Sequence, residues 1–419
     1  MAERGICLSI EKETSSDLKY LLANAKLRAG ATEDSISIFK AAVEDTVSDK
    51  QLLKVMVGLA TALRIADQQL EAMKALEIAE QAARRGGFEI ELTNIHYIRG
   101  NLCFILARFD ECPREHNASL KLARKLNSRE FEARALGGLA DANYMGGKMK
   151  TANERFLDCV AVAQRQNFKD TEVSNRHMIG WSRLHLMELE EAGEDAEETR
   201  KLAMDLRDNR ALMFAYMLSG VVDFARLNLD AAEHNLQKSL DLAEVMSSEN
   251  HVAFNLKHLA LLRYEQGEKA SALNYATRAH DIVKRIGMKF CGPSVLVVLA
   301  RLTDNASKRA ELMRDAEKIL DDGCVGHNYF YFAYTAIDDA IKRQNWDEVT
   351  RHITRLDDYT KSERLAWPDF MIAKGQTLLA WHQNGPSESL QKKITTLVHT
   401  AEKADLKSGV SLLYEAKMT

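Results

Sequence analysis

FEARALGGLADANYMGG (131–147), followed after Lys148-Met149 by KTANERFLDCVAVAQRQN (150–167), is the stretch on which the fold turns. Both halves are dominated by residues of high helix propensity, with apolar side chains recurring at three- and four-residue steps. Between them, Gly146-Gly147 supplies the backbone freedom that a tight turn between two helices needs. Ala140 and Ala152, one on each half, let the helices approach closely, and Phe156 fills the space a turn further on. The segment reads as a two-helix hairpin.

Position 140 is one rung of a ladder. Ala60, Gly100, Ala140, Gly180, Gly220, Ala260 and Ala300 lie at forty-residue intervals, and every one is Gly or Ala. Twelve residues after the rungs from Ala60 to Ala260 stand Ala72, Cys112, Ala152, Ala192, Ala232 and Ala272. Seven further on come Ala79, Ser119, Cys159, Thr199, Ser239 and Ala279. A fixed period of this length marks a solenoid, whose core grows linearly with the chain. The spacing of small, small, bulky and small residues is the tetratricopeptide arrangement. That repeat is about 34 residues long, so six extra residues must lengthen the helices or the loops. A HEAT or armadillo array, with repeats of about 40–47 residues, is the competing architecture.

Working outward, hairpins fall at about 15–46, 49–85, 170–207, 209–247 and 250–287, with the unit around Gly100 between them. Pro113 sits in the first turn of that unit's second helix, where its missing N–H costs nothing. Beyond about 287 the rhythm loosens at CGP (291–293), TDNAS (303–307) and DDGCVGHN (321–328), and hairpins at about 328–361 and 366–404 close the array. The expected layout is an N-terminal tail over 1–14, one solenoid of about ten hairpins over 15–406, and a capping stub or tail over 407–419. The fold class is all-α, a right-handed tetratricopeptide-like superhelix.

Composition agrees. Of 419 residues only four are proline, 46% are hydrophobic and 28% charged, and no stretch alternates like a strand. A net charge of −4 does not suit a nucleic-acid binder, which displays a basic stripe. No apolar run reaches the ~20 residues of a membrane span, and the N-terminus lacks the apolar core of a signal peptide. Cys7, Cys103, Cys112, Cys159, Cys291 and Cys324 show no CxxC spacing and read as reduced packing residues, which points to the cytoplasm.

Six segments in this order carry a family resemblance: RGNLCFILARFDEC (99–112), EARALGGLADANYMGGKMKTANERF (132–156), SNRHMIGWSRLHLMELEEA (174–192), FCGP (290–293), GCVGHNYFYF (323–332) and WPDFMIAKGQTLLA (367–380). Over roughly residues 90–380 the chain resembles the C-terminal tetratricopeptide region of large bacterial class III adenylate/guanylate cyclases. In that family a cyclase domain and an AAA- or STAND-type ATPase module precede the repeats. The resemblance implies a sensor or scaffold portion of a bacterial signalling protein, with a cyclase or ATPase as partner in cis or in trans. Cyclase activity does not transfer, because the chain has neither a Gly-x4-Gly-Lys-Ser/Thr phosphate loop nor a β-rich segment.

In a tetratricopeptide hairpin the residues six and three before the rung, and one, four and five after it, face the concave groove. These offsets select Asn94, Tyr97, Asn101 and Phe104; Arg134, Asp141 and Tyr144; His177, Trp181 and His185; Met217 and Phe224; Lys257 and Tyr264. Phe214 and Phe254 share the pattern but are the members best suited to the core. Aromatic and amide side chains suit capture of a peptide, so the expected function is a non-catalytic peptide- or protein-binding scaffold. A small-molecule sensor, with a pocket at His177, Trp181 and His185, is the alternative. Asn101, Arg134 and Lys257 are of the types that clamp a terminal carboxylate, but not at the clamp's positions in adjacent repeats.

No catalytic set, cofactor site or metal site is expected. Cys291, Cys324 and His327 lack a fourth zinc ligand, and His177 and His185 are not part of an HExxH pair. Cys103 and Cys112 read as small core fillers, and the charged run 187–201 as a solvated helix face.

Overall fold

The computed structural model describes residues 12–418, within which 21 helices and no strands are found. Ten antiparallel hairpins follow one another: α1 Lys12–Arg28 with α2 Thr32–Val43, α3 Asp49–Ile65 with α4 Gln69–Gly86, and α5 Glu89–Ile105 with α6 Glu111–Lys125. Next come α7 Arg129–Met145 with α8 Met149–Arg165, α9 Lys169–His185 with α10 Leu189–Leu206, α11 Asn209–Ala225 with α12 Leu229–Val245, and α13 Glu249–Glu265 with α14 Lys269–Ile286. The less regular end is α15 Gly292–Leu302 with α16 Ala306–Asp321, α17 His327–Lys342 with α18 Trp346–Thr360, and α19 Ala366–Asn384 with α20 Glu388–Lys403. A last short helix, α21 Ser411–Met418, follows. The architecture is an all-α, tetratricopeptide-like solenoid.

The helices, not the loops, take up the longer period. From α3 to α14 most helices span 17 or 18 residues, and the links are short. Each link contains a left-handed residue, and these recur every twenty positions: Asp67, Gly87, Ala107, Asn127, Gly147, Asn167, Met187, Arg207, Leu227, Ser247 and Gly267. The turns close alike; at 147 the N–H of Lys148 reaches the carbonyl of Asn143 and that of Gly147 the carbonyl of Tyr144, both at 3.0 Å. Of the Gly146-Gly147 pair only Gly147, at φ 76°, needs a glycine's freedom.

The ladder lies wholly inside. Ala60, Ala140 and Ala260, all six residues at the twelve-residue offset and all six at the next are fully buried. The third series also fastens the hairpins. Ser119 Oγ donates to Thr93 O (2.9 Å), Cys159 Sγ to Ala133 O (3.2 Å) and Ser239 Oγ to Met213 O (3.0 Å), each tying a second helix to the first helix of its own hairpin.

The solenoid coils tightly enough for successive superhelical turns to touch. Asn209 Nδ2 donates to Ala29 O across 180 residues, and Asp67 accepts from the backbone N–H and side-chain amide of Asn250 across 183. The same separation recurs where Gly326 N–H meets Met145 O, and where the N–H groups of Lys407 and Ser408 share Ala225 O, beside an Arg226–Asp405 ion pair. One superhelical turn therefore takes about four and a half hairpins. The concave face becomes the interior of a coil, not the open groove expected from the spacing. The N-terminal tail expected over 1–14 lies mainly outside the described residues, and its described positions, 12–14, belong to helix α1. In the stub, Val410 and Leu413 are buried against the last hairpins. No described helix is long and apolar enough to cross a membrane.

Candidate ligand site in the superhelix interior

A cavity of about 190 Å³ lies inside the coil, lined almost entirely by the first helices of hairpins. From α5 come Tyr97, Asn101 and Phe104, from α7 Asp141 and Tyr144, and from α9 Asn175, His177 and Trp181. Helix α11 adds Arg210, Phe214 and Met217, and α13 adds Asn250, His251 and Phe254. Arg64 of α3, Phe290 and His327 complete the wall, and exposed Ser174 marks where it meets solvent.

The apolar part is a chain of interlocking rings. His177 stacks flat on Phe214 at 4.4 Å, Phe214 meets His251 edge-on at 4.9 Å, and His251 meets Phe290 at 5.5 Å. Phe290 continues to His327, which touches Phe254, and Phe254 meets Trp181 edge-on at 5.6 Å. Such edge-to-face and offset contacts fix ring positions, so the wall is preformed. His327 Nε2 donates to Phe290 O at 2.7 Å, and His251 Nδ1 is hydrogen-bonded to Ser248 Oγ at 2.8 Å. Burial, aided by Arg210, drives the pKa of His177 down to about 3; burial and Lys257 do the same to His327. His251 falls well below its usual value for the same chief reason. At neutral pH these imidazoles are uncharged.

The positive charge comes from two arginines. Arg64 and Arg210 are only partly accessible, and among the described residues neither guanidinium has an ion-pair or hydrogen-bond partner; Arg64 Nε is buried without one. Arg210 lies over the Phe214 ring at 5.0 Å. Burial, with Arg64 beside it, lowers its pKa to about 9. Three carboxylates share the neighbourhood. Asp208 caps α11 by accepting from the N–H groups of Arg210 and Ala211, and Asp67 is held by Asn250. Burial lifts the Asp141 carboxyl to about 7 against the pull of Arg64.

Of the residues selected by groove offsets, Tyr97, Asn101, Phe104, Asp141, Tyr144, His177, Trp181 and Met217 line this cavity, and so do Phe214 and Phe254. Asn94, Arg134, His185, Phe224, Lys257 and Tyr264 do not. Asn94 is half-buried elsewhere on α5, and Arg134 stacks over Tyr97 at 5.2 Å. His185 is fully buried under Phe330 and Tyr331 of α17, which fills the concave face at that level. Phe224 packs on the main core. Lys257, 1% exposed, is sandwiched between Phe254 and Tyr331 at 4.1 and 3.9 Å, its ammonium without a hydrogen-bond partner, and burial takes its pKa to about 7. Tyr264 carries Arg301 on its ring at 4.3 Å.

Arg64, Asn175, Arg210, Asn250, His251, Phe290 and His327 were not selected from the sequence. Arg64 stands four after the rung Ala60, so the same offsets applied one unit earlier find it. Arg210, Asn250 and Phe290 each lie ten before a rung, at Gly220, Ala260 and Ala300. That is the segment by which these units exceed a 34-residue repeat, so offsets from the shorter repeat miss it. Cys291 points its thiol toward Asn250 O, and His327 is spent on Phe290, so the two are not poised with Cys324 as a ligand set. Among the described residues no group of three His, Cys, Asp or Glu is arranged to hold a metal ion.

No family model matches the chain, and no curated protein does either. Solved structures do. NprR in complex with its cognate peptide NprX superposes with a TM-score of 0.55 at 12% identity, covering 81% of this chain and 98% of that one. Aspartyl phosphate phosphatase F from Bacillus subtilis superposes with a TM-score of 0.51 at 10% identity, covering 84% and 96%. At these identities the likeness is one of fold.

Proposed function

We propose that the chain is a non-catalytic peptide receptor that holds its ligand inside the superhelix, against Tyr97, Asn101, His177, Trp181 and the arginine pair. The observation that carries this reading is the cavity itself, a rigid aromatic wall with amide and guanidinium groups converging from five hairpins. Aromatic anchors give contact area at low entropic cost, and amides satisfy an extended backbone. That NprR, a protein of like fold, is known in complex with a peptide supports the reading. The small cavity volume favours one second reading, a sensor of a small molecule the size of a single amino acid. In either case the output follows from the coil: ligand bound between touching turns favours the closed state. The resemblance to cyclase-associated repeats suggests a cytoplasmic signalling context, with a cyclase or ATPase module in cis or in trans as the receiver.

The test is affinity selection from a mixed synthetic pentapeptide library by the full chain. The expected result is retention of a defined subset, reduced at least tenfold by Tyr97→Ala with Asn101→Ala. Retention unchanged in that variant, or no retention at all, contradicts the reading. A thermal shift with free amino acids but not with peptides transfers the case to the small-molecule reading.

A further inference from the structure

We propose that Arg64 and Arg210 form a carboxylate-binding subsite that anchors one end or one acidic side chain of the peptide; this rests on the receptor reading above.

Among the described residues, Arg64 and Arg210 lack an acidic partner. Arginines elsewhere in the molecule are routinely paired: Arg85 with Asp49 at 2.6 Å, Arg183 with Asp195 at 2.8 Å, Arg355 with Asp321 at 2.6 Å. Arg64 and Arg210 line the cavity, are only partly accessible and make no ion pair or hydrogen bond, and Arg64 Nε is buried unsatisfied. A partly desolvated guanidinium without a hydrogen-bond acceptor is costly, so a site that retains two of them suits an acceptor that arrives from outside.

The neighbouring carboxylates do not fill that role. Asp67 gives both oxygens to Asn250, Asp208 Oδ1 accepts from the N–H groups of Arg210 and Ala211, and none of Asp67, Asp141 and Asp208 makes an ion pair with either guanidinium. They do set the ligand's charge, because a dianionic phosphate would meet three nearby carboxyls, whereas a carboxylate brings one charge. A planar guanidinium presents parallel N–H donors that match a carboxylate's two oxygens. The free space of about 190 Å³ meets solvent at Ser174, so the anchored end or side chain is the part of the peptide that this subsite takes. The pair also exists only in the closed coil. Arg64 belongs to the second hairpin and Arg210 to the sixth, and the Asp67–Asn250 contact holds the second hairpin against the seventh, beside the sixth. A carboxylate bridging them would fasten one superhelical turn to the next.

The experiment presents the unmodified full chain with three pentapeptide pools: free carboxy termini without Asp or Glu, amidated termini with Asp and Glu, and amidated termini without either. Retention from one of the first two pools, on the order of tenfold to a hundredfold above the third, is expected, and which of them is retained identifies the source of the carboxylate. Arg64→Gln with Arg210→Gln should remove that preference, while Arg64→Lys with Arg210→Lys should restore part of it. Equal retention from the amidated, acid-free pool overturns the subsite and leaves the receptor standing. Retention from no pool overturns both. The pool comparison needs no variant to fold.

Discussion

Gly100 and Gly138 face the same imidazole from two first helices, and that ring shows what a rung demands. His116 is fully buried between them, edge-on to Tyr97, with neither ring nitrogen hydrogen-bonded. A methyl at the rung Gly100 would overlap the ring, so Gly100→Ala is expected to destabilise by about 2 kcal/mol, the usual cost of overpacking. Gly146→Ala is the control: its φ is −80° and its nearest atoms lie at 3.5 Å, so the melting temperature should hold or rise. Equal losses in thermal melts of the two variants would remove the packing role assigned to the rung. In the cavity, Asp141→Asn removes the carboxylate that competes for Arg64 and should strengthen binding of an acidic peptide several-fold, measured by calorimetry; weaker binding would mean that Asp141 itself contacts the ligand. Residue-level legibility was uneven. Small residues at fixed intervals betray themselves because nothing larger fits, whereas Arg210 has no signal of its own and is recognisable only from its register with Asn250 and Phe290.

At the scale of the element, the forty-residue period is two near-equal helices joined by matched turns. Its existence was plain from Ala140, Ala152 and their counterparts. The destination of the six extra residues was not, since helix ends leave weak traces when the left-handed turn position is Met187, Leu227 or Arg207 as readily as glycine. Those non-glycine turns carry a small steric cost. Arg207 is exposed and has φ 54°, so Arg207→Gly should stabilise by about 0.5–1 kcal/mol, read as a higher melting temperature. A lower melting temperature would mean that the side chain holds the turn through contacts outweighing the backbone strain.

The whole molecule is a coil whose turns touch, and this was invisible in the sequence because contacts about 180 residues apart leave no local pattern. Gly326 shows how close they come: a methyl there would lie 2.5 Å from Gly147 N. Gly326→Ala should part the turns and raise the radius of gyration in small-angle scattering, and an unchanged radius would mean the turns are not in register there. Folding also buries histidines. His116, His177, His185, His251, His258, His327 and His352 all have folded pKa values lowered chiefly by burial, to between about 3 and 4 where a value is resolved. Below an unfolded value near 6.5 the unfolded chain binds more protons, so each costs up to about 1.4 kcal/mol of stability per further pH unit. Asp67, Asp141 and Asp195 act oppositely, their folded pKa values being raised to about 6, 7 and 6, and favour the fold as pH falls toward 4. The histidines outnumber them, so the melting temperature should drop from pH 7 to pH 5; a flat or rising profile would show that the carboxyls dominate.

Hydrogen–deuterium exchange of the full chain, with and without a peptide selected by it, bears most directly on the proposed receptor function. The expected protection falls on the first helices around 97–104, 174–181, 208–217 and 250–254, and spares the outward second helices. Protection centred on the second helices, or none with the peptide bound, would contradict a ligand held inside the coil.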